Sequence, residues 1–282
     1  MKYELINPIN PNYSTIEQIL TNRGIDLNII PNYIKSTDED INPPELFGEE
    51  LLKRAATLVI QTVQSNKQTV VIVDCDCDGY TSAAILINYL YDLFPAYVEN
   101  NLIYFVHDSK QHGLSDCINW VTETDNLGLV ICPDSSSNDY DEHKRLKDLG
   151  INTIVLDHHD ADKISENAVI INNQLSDYPN KDFSGAGVVW QFCRYLDKLL
   201  NINNADRYRD LVALGLDADM MSLRSIETKH LIGTGLAHPR NPFIVTMARK
   251  NDFSLKGKLT PIGVAFYIAP FVNSMTRSGT IE

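Results

Sequence analysis

The stretch Val70-Val71-Ile72-Val73-Asp74-Cys75-Asp76-Cys77-Asp78-Gly79 joins a run of apolar, β-branched residues to three aspartates spaced two apart. The apolar run predicts a buried strand, and side chains two apart in an extended chain point to the same side. Carboxylates about 4 Å apart repel each other by roughly 4 kcal/mol per pair at an effective dielectric of about 20. A divalent cation offsets this repulsion, so the stretch predicts a metal site at the C-terminal end of a strand.

Two other interpretations of this stretch are weaker. The spacing of its acids and glycine matches the first six positions of an EF-hand calcium loop, but Ile85 stands where that loop needs a bidentate Glu, and an apolar run replaces the preceding helix. The second alternative is a solvated acidic turn. The position at the end of a strand, before a glycine and a helix, favours a ligand site, because open α/β sheets bind their ligands there.

Two further apolar runs lead directly into polar residues. Residues 129–132 precede Pro133 and Asp134, and residues 153–156 precede Asp157-His158-His159-Asp160. Adjacent histidines after a buried strand are seldom both core residues, since neighbouring side chains point in opposite directions and each ring needs hydrogen-bond partners. These two segments therefore predict further ligands at the same edge of a sheet.

Two more segments carry weaker signals. Asp219 follows the apolar residues 211–216, where a lone acid is also typical of a helix cap or a solvated charge. Small residues at 184–187 open an apolar helix, and backbone N–H groups at such a helix start can hold a phosphate. Ser184 is equally suited to an ordinary helix N-cap.

Taken in order, these residues resemble the DHH family of phosphoesterases, and most closely its RecJ-like exonuclease branch, over nearly the whole chain. The similarity rests on the motif from Asp74 to Gly79, on the acids Asp134 and Asp219, and on the block Asp157-His158-His159. Residues 19–25, 184–188 and 268–273, with Arg277, are similar to RecJ-like chains and not to small DHH pyrophosphatases.

The resemblance implies a two-metal centre that holds Mn²⁺, or alternatively Mg²⁺. Its implied metal ligands are Asp74, Asp76, Asp78, Asp134, His158 and Asp219. Asp134 would bridge the two ions, Asp74 and His159 would be direct or outer ligands, and Asp157 would orient the imidazoles. The implied catalytic residues are Asp76, Asp78, Asp134, Asp157, His158, His159 and Asp219. Two cations about 3.5–4 Å apart activate a water and stabilise the leaving oxygen, so no side-chain nucleophile is required. Candidates for binding the substrate phosphate are Ser184, Gly185, Gly187, Asn273 and Arg277.

The order of the predicted elements is typical of an α/β fold with a mostly parallel sheet flanked by helices and a helical C-terminal portion. Strands are predicted near residues 69–74, 102–107, 129–132, 153–157 and 168–171. Helices are predicted near residues 14–22, 49–65, 80–93, 112–122, 139–149, 184–200, 206–216, 222–234, 240–249 and 260–275. We expect an N-terminal lead-in over residues 1–48, a DHH core over 49–235, and a helical extension with the start of an interdomain connector over 236–282. The second domain of RecJ-like chains, called DHHA1, is expected to be absent or truncated, which leaves a fragment and a natural short form as alternatives.

The formal charge of −13 is unusual for a nucleic-acid binder, because non-specific affinity comes mostly from Lys and Arg that meet phosphates. Two divalent ions would change it only to about −9. We therefore expect weak binding of extended DNA by this chain, and either a short substrate held at the metals or a missing DNA-binding part. Five cysteines without a secretory signal pattern predict free thiols and a cytoplasmic location, and no apolar run is long enough to span a membrane.

The preferred hypothesis is a 5′-to-3′ exonuclease for single-stranded DNA, with replication or repair proteins as possible further partners. The alternatives are a phosphodiesterase for nano-RNA or cyclic dinucleotides and a catalytically weak DHH scaffold. The histidines outside the motifs, at 107, 112, 143, 230 and 238, are expected to lie away from acid clusters. Of these, His107 is the most suggestive, because it follows a predicted strand and precedes Asp108.

Overall fold

The computed structural model describes residues 8–107 and 111–277. Its five strands are β1 (Gln68–Val73), β2 (Leu102–Val106), β3 (Leu127–Pro133), β4 (Asn152–Asp157) and β5 (Val169–Asn172). The first seven helices are α1 (Thr15–Asn22), α2 (Ile30–Ile34), α3 (Glu49–Gln64), α4 (Cys77–Leu93), α5 (Pro95–Asn101), α6 (Ile118–Thr122) and α7 (Tyr140–Asp148). The C-terminal helices are α8 (Gly185–Leu200), α9 (Arg209–Ala218), α10 (Ile226–Ala237), α11 (Pro242–Lys250), α12 (Asp252–Leu255), α13 (Pro261–Tyr267) and α14 (Ala269–Arg277).

The five strands form one parallel sheet in the order β2-β1-β3-β4-β5, which confirms the predicted fold class. Val71 of β1 pairs with Tyr104 on one side and with Ile131 on the other, so β1 lies between β2 and β3. The chain builds outward from β1 to β2 and then returns to add β3 on the opposite side. In open α/β sheets, the C-terminal ends of strands at such a reversal form the ligand-binding crevice.

Alternate residues of the strands pack into two cores, one on each face of the sheet. The larger core contains Val71, Val73 and Ile131 together with apolar residues of α3, α4, α8 and α9. The smaller core contains Val70 and Ile72 with residues of α6 and α7. Because both faces are covered, the strands consist of nearly continuous apolar residues, as buried parallel strands do.

The largest differences from the predicted helices occur at two places. Only residues 118–122 of the predicted helix at 112–122 are helical, because Gly113 has a φ of +67° and Leu114 N–H donates to Ser136 Oγ and Asp139 Oδ2 instead of to its own segment. The predicted helix at 260–275 is divided into α13 and α14 at Ile268. Pro270 accounts for the break, since proline removes an N–H donor from the helix.

The N-terminal lead-in contacts the helical half of the chain. The Tyr33 hydroxyl donates to Leu223 O, and Asn42 donates to Glu227 on α10 from both its backbone and its side-chain nitrogen. The domain boundaries predicted near residues 48 and 235 stay predictions. No helix among the described residues is long and apolar enough to cross a membrane.

Candidate metal centre

The ends of β1, β3 and β4 bring the predicted acids to one edge of the sheet. Asp74 follows β1, Asp134 follows β3 and Asp157 is the last residue of β4. All three carboxylates are buried. Parallel strands end at a common edge, so side chains distant in sequence meet there.

The segment after β1 supplies two more acids from the start of α4. Asp76 is the N-cap of α4, and its Oδ1 accepts the Gly79 N–H at 3.0 Å. This cap begins the helix at Cys77, three residues earlier than predicted, and places Asp78 in its buried first turn. Capping by Asp is typical of helix starts, because its carboxylate satisfies N–H groups that have no partner inside the helix.

His158 lies at the centre of these carboxylates. Its Nε2 is 3.2 Å from Asp134 Oδ1, 3.6 Å from Asp219 Oδ2 and 3.9 Å from Asp78 Oδ2. Potential ligand atoms lie within 4.8 Å of one another in three overlapping groups, namely Asp134-His158-His159, Asp78-His158-Asp219 and Asp74-Asp76-Asp134. Asp134 and His158 each belong to two groups, so all six predicted metal ligands and His159 come together in one site.

Asp157 orients the two histidines. Its Oδ1 accepts the backbone N–H groups of His158 and His159 at 2.7 and 3.2 Å and lies 2.7 Å from His159 Nδ1. Its Oδ2 accepts the Ser137 N–H at 3.1 Å. The hydrogen bond that His159 donates to Asp157 is the main reason why the pKa of His159 is raised to about 9, and the same contact holds the pKa of Asp157 below its usual range against the effect of burial.

Asp78 is held by the start of α8. The Ser184 hydroxyl donates to Asp78 Oδ1 at 2.9 Å, and the N–H groups of Gly185 and Ala186 donate to the same carboxylate at 2.7 and 3.2 Å. These donors therefore position a candidate metal ligand. The substrate-phosphate contact predicted for Ser184 and Gly185 stays a prediction. Gly187 packs with its Cα against the ring of Phe183, where a Cβ would come within 2.6 Å of the ring.

Two glycines allow helices to approach the acids closely. A Cβ on Gly185 would lie 2.4 Å from Asp134 Oδ1, and a Cβ on Gly215 of α9 would lie 2.3 Å from Asp78 Oδ1. Real Cβ contacts are never this short, so α8 and α9 reach the carboxylates only because these positions lack side chains.

The electrostatics of the site show an excess of negative charge. Burial, reinforced by Asp78 and Asp76, raises the pKa of Asp134 well above its usual range. Burial and then Asp78 raise the pKa of Asp219 to about 6, and burial raises that of Asp76. Asp134 Oδ1 is buried and makes no hydrogen bond within the described part of the chain, although it lies 3.2 Å from His158 Nε2. These carboxylates are buried, one of their oxygens has no partner, and too little positive charge lies nearby to neutralise them. Such a site fits one or more divalent cations.

Sequence reasoning missed His112. It was expected to lie away from the acids, but its Nδ1 is 2.7 Å from Asp74 Oδ1 and its ring centroid is 5.6 Å from that of His159. The hydrogen bond with Asp74 is the main cause of its raised pKa. Nothing in the local sequence indicates this contact, because it depends on how Leu114 is fixed to the loop after β3.

The remaining predicted site residues lie at the C-terminal end of the chain. Asn273 Oδ1 accepts the Cys77 N–H at 2.9 Å, so α14 is attached to the first turn of α4 beside the acids. Arg277 ends α14, and its side chain is outside the described part of the structure. Asp108, which made His107 suggestive, also lies outside the described residues. His107 itself is buried next to Phe105, and burial lowers its pKa.

Comparison with known proteins agrees with this arrangement. A protein named "Putative SPbeta prophage-derived single-strand DNA-specific exonuclease YorK", from Bacillus subtilis (strain 168), is 35% identical over 286 residues, which cover all of this chain and 47% of that protein. The single-stranded-DNA-specific exonuclease RecJ of Thermus thermophilus is 28% identical over 247 residues, 86% of this chain and 36% of that one. A crystal structure of RecJ from the same organism in complex with Mn²⁺ matches with a TM-score of 0.67 and 26% identity, over 81% of this chain and 33% of that chain.

The chain therefore spans less than half the length of these curated relatives. The family model described as "DHH family, N-terminal domain" matches residues 68–216, the part that contains β1 to β5 and every acid and histidine of the candidate metal centre except Asp219. With a family match over more than half of its residues and homologues among the RecJ exonucleases, the chain belongs to the DHH family.

Proposed function

We propose that this chain is the catalytic part of a two-metal phosphodiesterase that degrades single-stranded DNA from its 5′ end. The single observation that carries the proposal is the buried Oδ1 of Asp134, which has no hydrogen-bond partner among the described residues and lies 3.2 Å from His158 Nε2 among carboxylates of raised pKa. Such a cluster is costly for a fold unless it binds cations. The names of the relatives support single-stranded DNA as the substrate.

The overlapping groups of ligand atoms support two ions that share Asp134. One ion would be held by Asp78, His158 and Asp219, and the other by Asp74 and Asp76, with Asp134 between them. Mn²⁺ is the preferred ion, because a related RecJ structure contains it, and Mg²⁺ is the alternative. When bound, two divalent ions lower the pKa of a water, clamp the scissile phosphate and stabilise the leaving oxygen.

The chain's own residues would fix this centre and leave one side open to the substrate. Asp157 holds the His159 imidazole and the backbone N–H of His158, and the start of α8 holds Asp78. His159 and His112 have side chains about half exposed, at 48% and 51%, so a phosphate would enter on their side. We place Asn273 and Arg277 of α14 as candidates for contacting it, because α14 is attached to α4 beside the acids.

A second candidate function is hydrolysis of very short substrates such as dinucleotides. The charge of −13 favours it, since an acidic chain gains little affinity from the phosphates of a long strand. The two functions share the same centre and differ in whether nucleotides beyond the scissile phosphate contribute to binding.

The test is Mn²⁺-dependent hydrolysis of a 5′-labelled single-stranded 20-mer beside a dinucleotide. Degradation of the 20-mer from its 5′ end supports the exonuclease, whereas turnover of the dinucleotide alone supports the second candidate. The Asp134→Asn variant should be inactive on both. Asp160→Asn makes the same chemical change at an exposed position two residues after His158 and should retain activity. If Asp134→Asn keeps Mn²⁺-dependent activity, the metal centre is not the catalytic site.

A further inference from the structure

One segment of this acidic chain has the opposite charge. Residues 240–258 contain five basic side chains and one acid, Asp252, whereas the whole chain carries −13. All five basic side chains are exposed, and together we call them the basic surface: Arg240, Arg249, Lys250, Lys256 and Lys258. A local concentration of cations on an acidic protein is the electrostatic footprint of an anionic partner.

The cations of the basic surface are not neutralised by acids within the described part of the chain. None of its five residues makes an ion pair in residues 8–107 and 111–277. Two nearby arginines behave differently: Arg207 pairs with Asp92, and Arg209 pairs with Asp38 and Asp206. The structure thus pairs Arg207 and Arg209, just before and at the start of α9, with acids, and leaves the cations on α11 and after α12 exposed to solvent.

The basic surface also has a concave and aromatic part. A cavity of about 480 Å³ lies between α10, α11 and α12, and its lining includes Arg249 and Lys258 next to the apolar Leu236 and Val245. Phe253, which lies in sequence between the lining residues Asp252 and Leu255, is 97% exposed. Cations beside an exposed aromatic ring are the combination that binds single strands, because phosphates meet the charges and bases stack on the ring.

The position of this surface separates it from the metal centre. Asp210, near the start of α9, accepts the N–H groups of Arg240 and Asn241, while Asp219 follows the other end of the same helix. Nine residues of α-helix correspond to about 14 Å. A molecule held at both places must therefore be longer than the group that is cleaved.

We propose that the basic surface docks the backbone of a single-stranded nucleic acid whose end occupies the metal centre. This inference rests on the proposed phosphodiesterase function and deepens it, since it supplies contacts to the strand that the acidic remainder of the chain does not provide. A strand that spans both places would be favoured over a substrate that is held at the metal centre alone.

The experiment measures binding of a fluorescent 20-mer of thymidine by anisotropy, in EDTA and at several salt concentrations. The test variant is Arg249→Gln/Lys250→Gln/Lys258→Gln, and the matched control is Lys144→Gln/Arg145→Gln/Lys147→Gln, which removes three exposed cations from α7. Each phosphate contact to a single strand contributes about 0.7 to the slope of log affinity against log salt. We expect the test variant to bind at least about tenfold more weakly at about 50 mM salt and to lose about 2 from the slope, with a much smaller change in the control.

A second variant tests the stacking contribution without a change of charge. Phe253→Ser should bind about tenfold more weakly, as loss of one base–aromatic contact does, and should keep the salt slope. Because binding is measured without metal, its result is independent of whether the chain hydrolyses anything. A 20-mer that binds through this surface but is never cut would contradict the proposed function and leave the docking inference standing.

Three results would overturn the docking inference. These are equal weakening in the test and control variants, absence of binding by the unmodified chain, and binding to phosphatidylglycerol vesicles without binding to the 20-mer. The last result would identify the surface as a membrane contact instead. Circular dichroism of each variant establishes that the loss of charge has not unfolded α11 or α12.

Discussion

The metal centre and the network around Glu227 both bury carboxylates, but they satisfy them differently. Glu227 on α10 receives hydrogen bonds at 2.6–3.2 Å from two nitrogens of Asn42 and from Tyr178, Asn180 and Gln191. Asp134 is as deeply buried, and its Oδ1 receives none from the described residues. In the Glu227 network, neutral donors from distant parts of the chain surround a single acid. In the metal centre, several acids lie next to one another.

The electrostatic consequences follow this difference. Burial is the largest cause of the raised pKa of Glu227, and every other contributor lowers that pKa. At Asp134 burial is again the largest cause, but the neighbouring acids raise the pKa further. The hydrogen bonds to Glu227 thus offset part of the cost of burying its carboxylate, whereas the acids around Asp134 add to that cost until a cation supplies positive charge.

The largest expected effect is that of Asp134→Asn. The residue has a φ of +64°, which Asn tolerates, so the change removes charge without straining the backbone. We expect hydrolysis to fall at least about a thousandfold, which corresponds to about 4 kcal/mol in the barrier. The metal-free variant should at the same time unfold at a higher temperature, because burying an ionisable carboxyl among other acids no longer costs stability.

Thermal unfolding with and without Mn²⁺ checks this prediction. The unmodified chain should gain stability on adding the ion, by about 2.7 kcal/mol at a hundredfold excess over the dissociation constant, and the variant should gain much less. A lower unfolding temperature of the metal-free Asp134→Asn variant would mean that the carboxylate stabilises the fold, and the contrast with Glu227 would be wrong.

The clustering of the acids of the metal centre could be predicted from the sequence because their positions follow from local rules. Asp74, Asp134 and Asp157 each come directly after an apolar run, and a parallel sheet brings strand ends together without further information. The same rules could not reveal His112, whose contact with Asp74 depends on a loop held in place by Asp139. They also could not show that the donors at the start of α8 face Asp78.

The sheet was predictable for a similar reason, and the irregular helices were not. Continuous β-branched runs indicate buried parallel strands, and all five appear within about two residues of the predicted positions. The predicted helix at 112–122 was wrong over its first half because the backbone groups there bond to another loop. Tertiary contacts of this kind override local helix preference.

Loss of the Glu227 carboxylate should have the next largest effect. Glu227→Ala leaves the buried Tyr178, Asn180 and Gln191 groups without their acceptor, and we expect the free energy of unfolding to fall by about 3 kcal/mol. Glu227→Gln keeps one acceptor oxygen and should cost less. Urea denaturation measures the free energy of unfolding of both variants. The control is Glu39→Ala, which removes an exposed acid from the same N-terminal lead-in.

This prediction sharpens the comparison because it concerns stability alone. The difference in unfolding free energy between the unmodified chain and Glu227→Ala should be the same with and without Mn²⁺. A change of less than about 0.5 kcal/mol, the range of ordinary surface substitutions, would show that the network contributes nothing to the fold.

His143 on α7 is a third buried polar group, and its pKa is shifted downward, whereas those of Glu227 and Asp134 are shifted upward. It is fully buried, neither ring nitrogen has a hydrogen-bond partner among the described residues, and burial lowers its pKa from 6.5 to about 4, with Asp139 opposing. Because the pKa of His143 is lower in the folded state, the unfolded chain takes up a proton first as the pH falls. The folded state therefore keeps its full stability above pH 6.5 and loses stability progressively between pH 6.5 and about pH 4. We expect about 2 kcal/mol of stability to be lost through His143 between about pH 7 and pH 5.

The measurement is the unfolding free energy as a function of pH for the unmodified chain and for His143→Leu. The variant should show a smaller decrease over this pH range, and His238→Leu, which changes an exposed histidine, should not alter the decrease. Parallel pH profiles for the unmodified chain and His143→Leu would exclude His143 as the titrating group.

The smallest expected effect concerns His112, which connects the metal centre to a loop held by hydrogen bonds to Ser136 and Asp139. Its Nδ1 contacts Asp74 at 2.7 Å, and side chains that orient a metal ligand in this way commonly contribute a factor of about 10–100 to metal affinity. His112→Ala should therefore weaken Mn²⁺ binding about tenfold, and His112→Asn, which keeps a donor near Asp74, should recover part of the loss.

Titration of Mn²⁺ by calorimetry separates this role from a structural one, because a merely structural defect would lower the unfolding temperature without changing the affinity of the folded fraction. Equal Mn²⁺ affinity in all three proteins would mean that Asp74 is held in place by the fold alone, as Asp78 is by the start of α8.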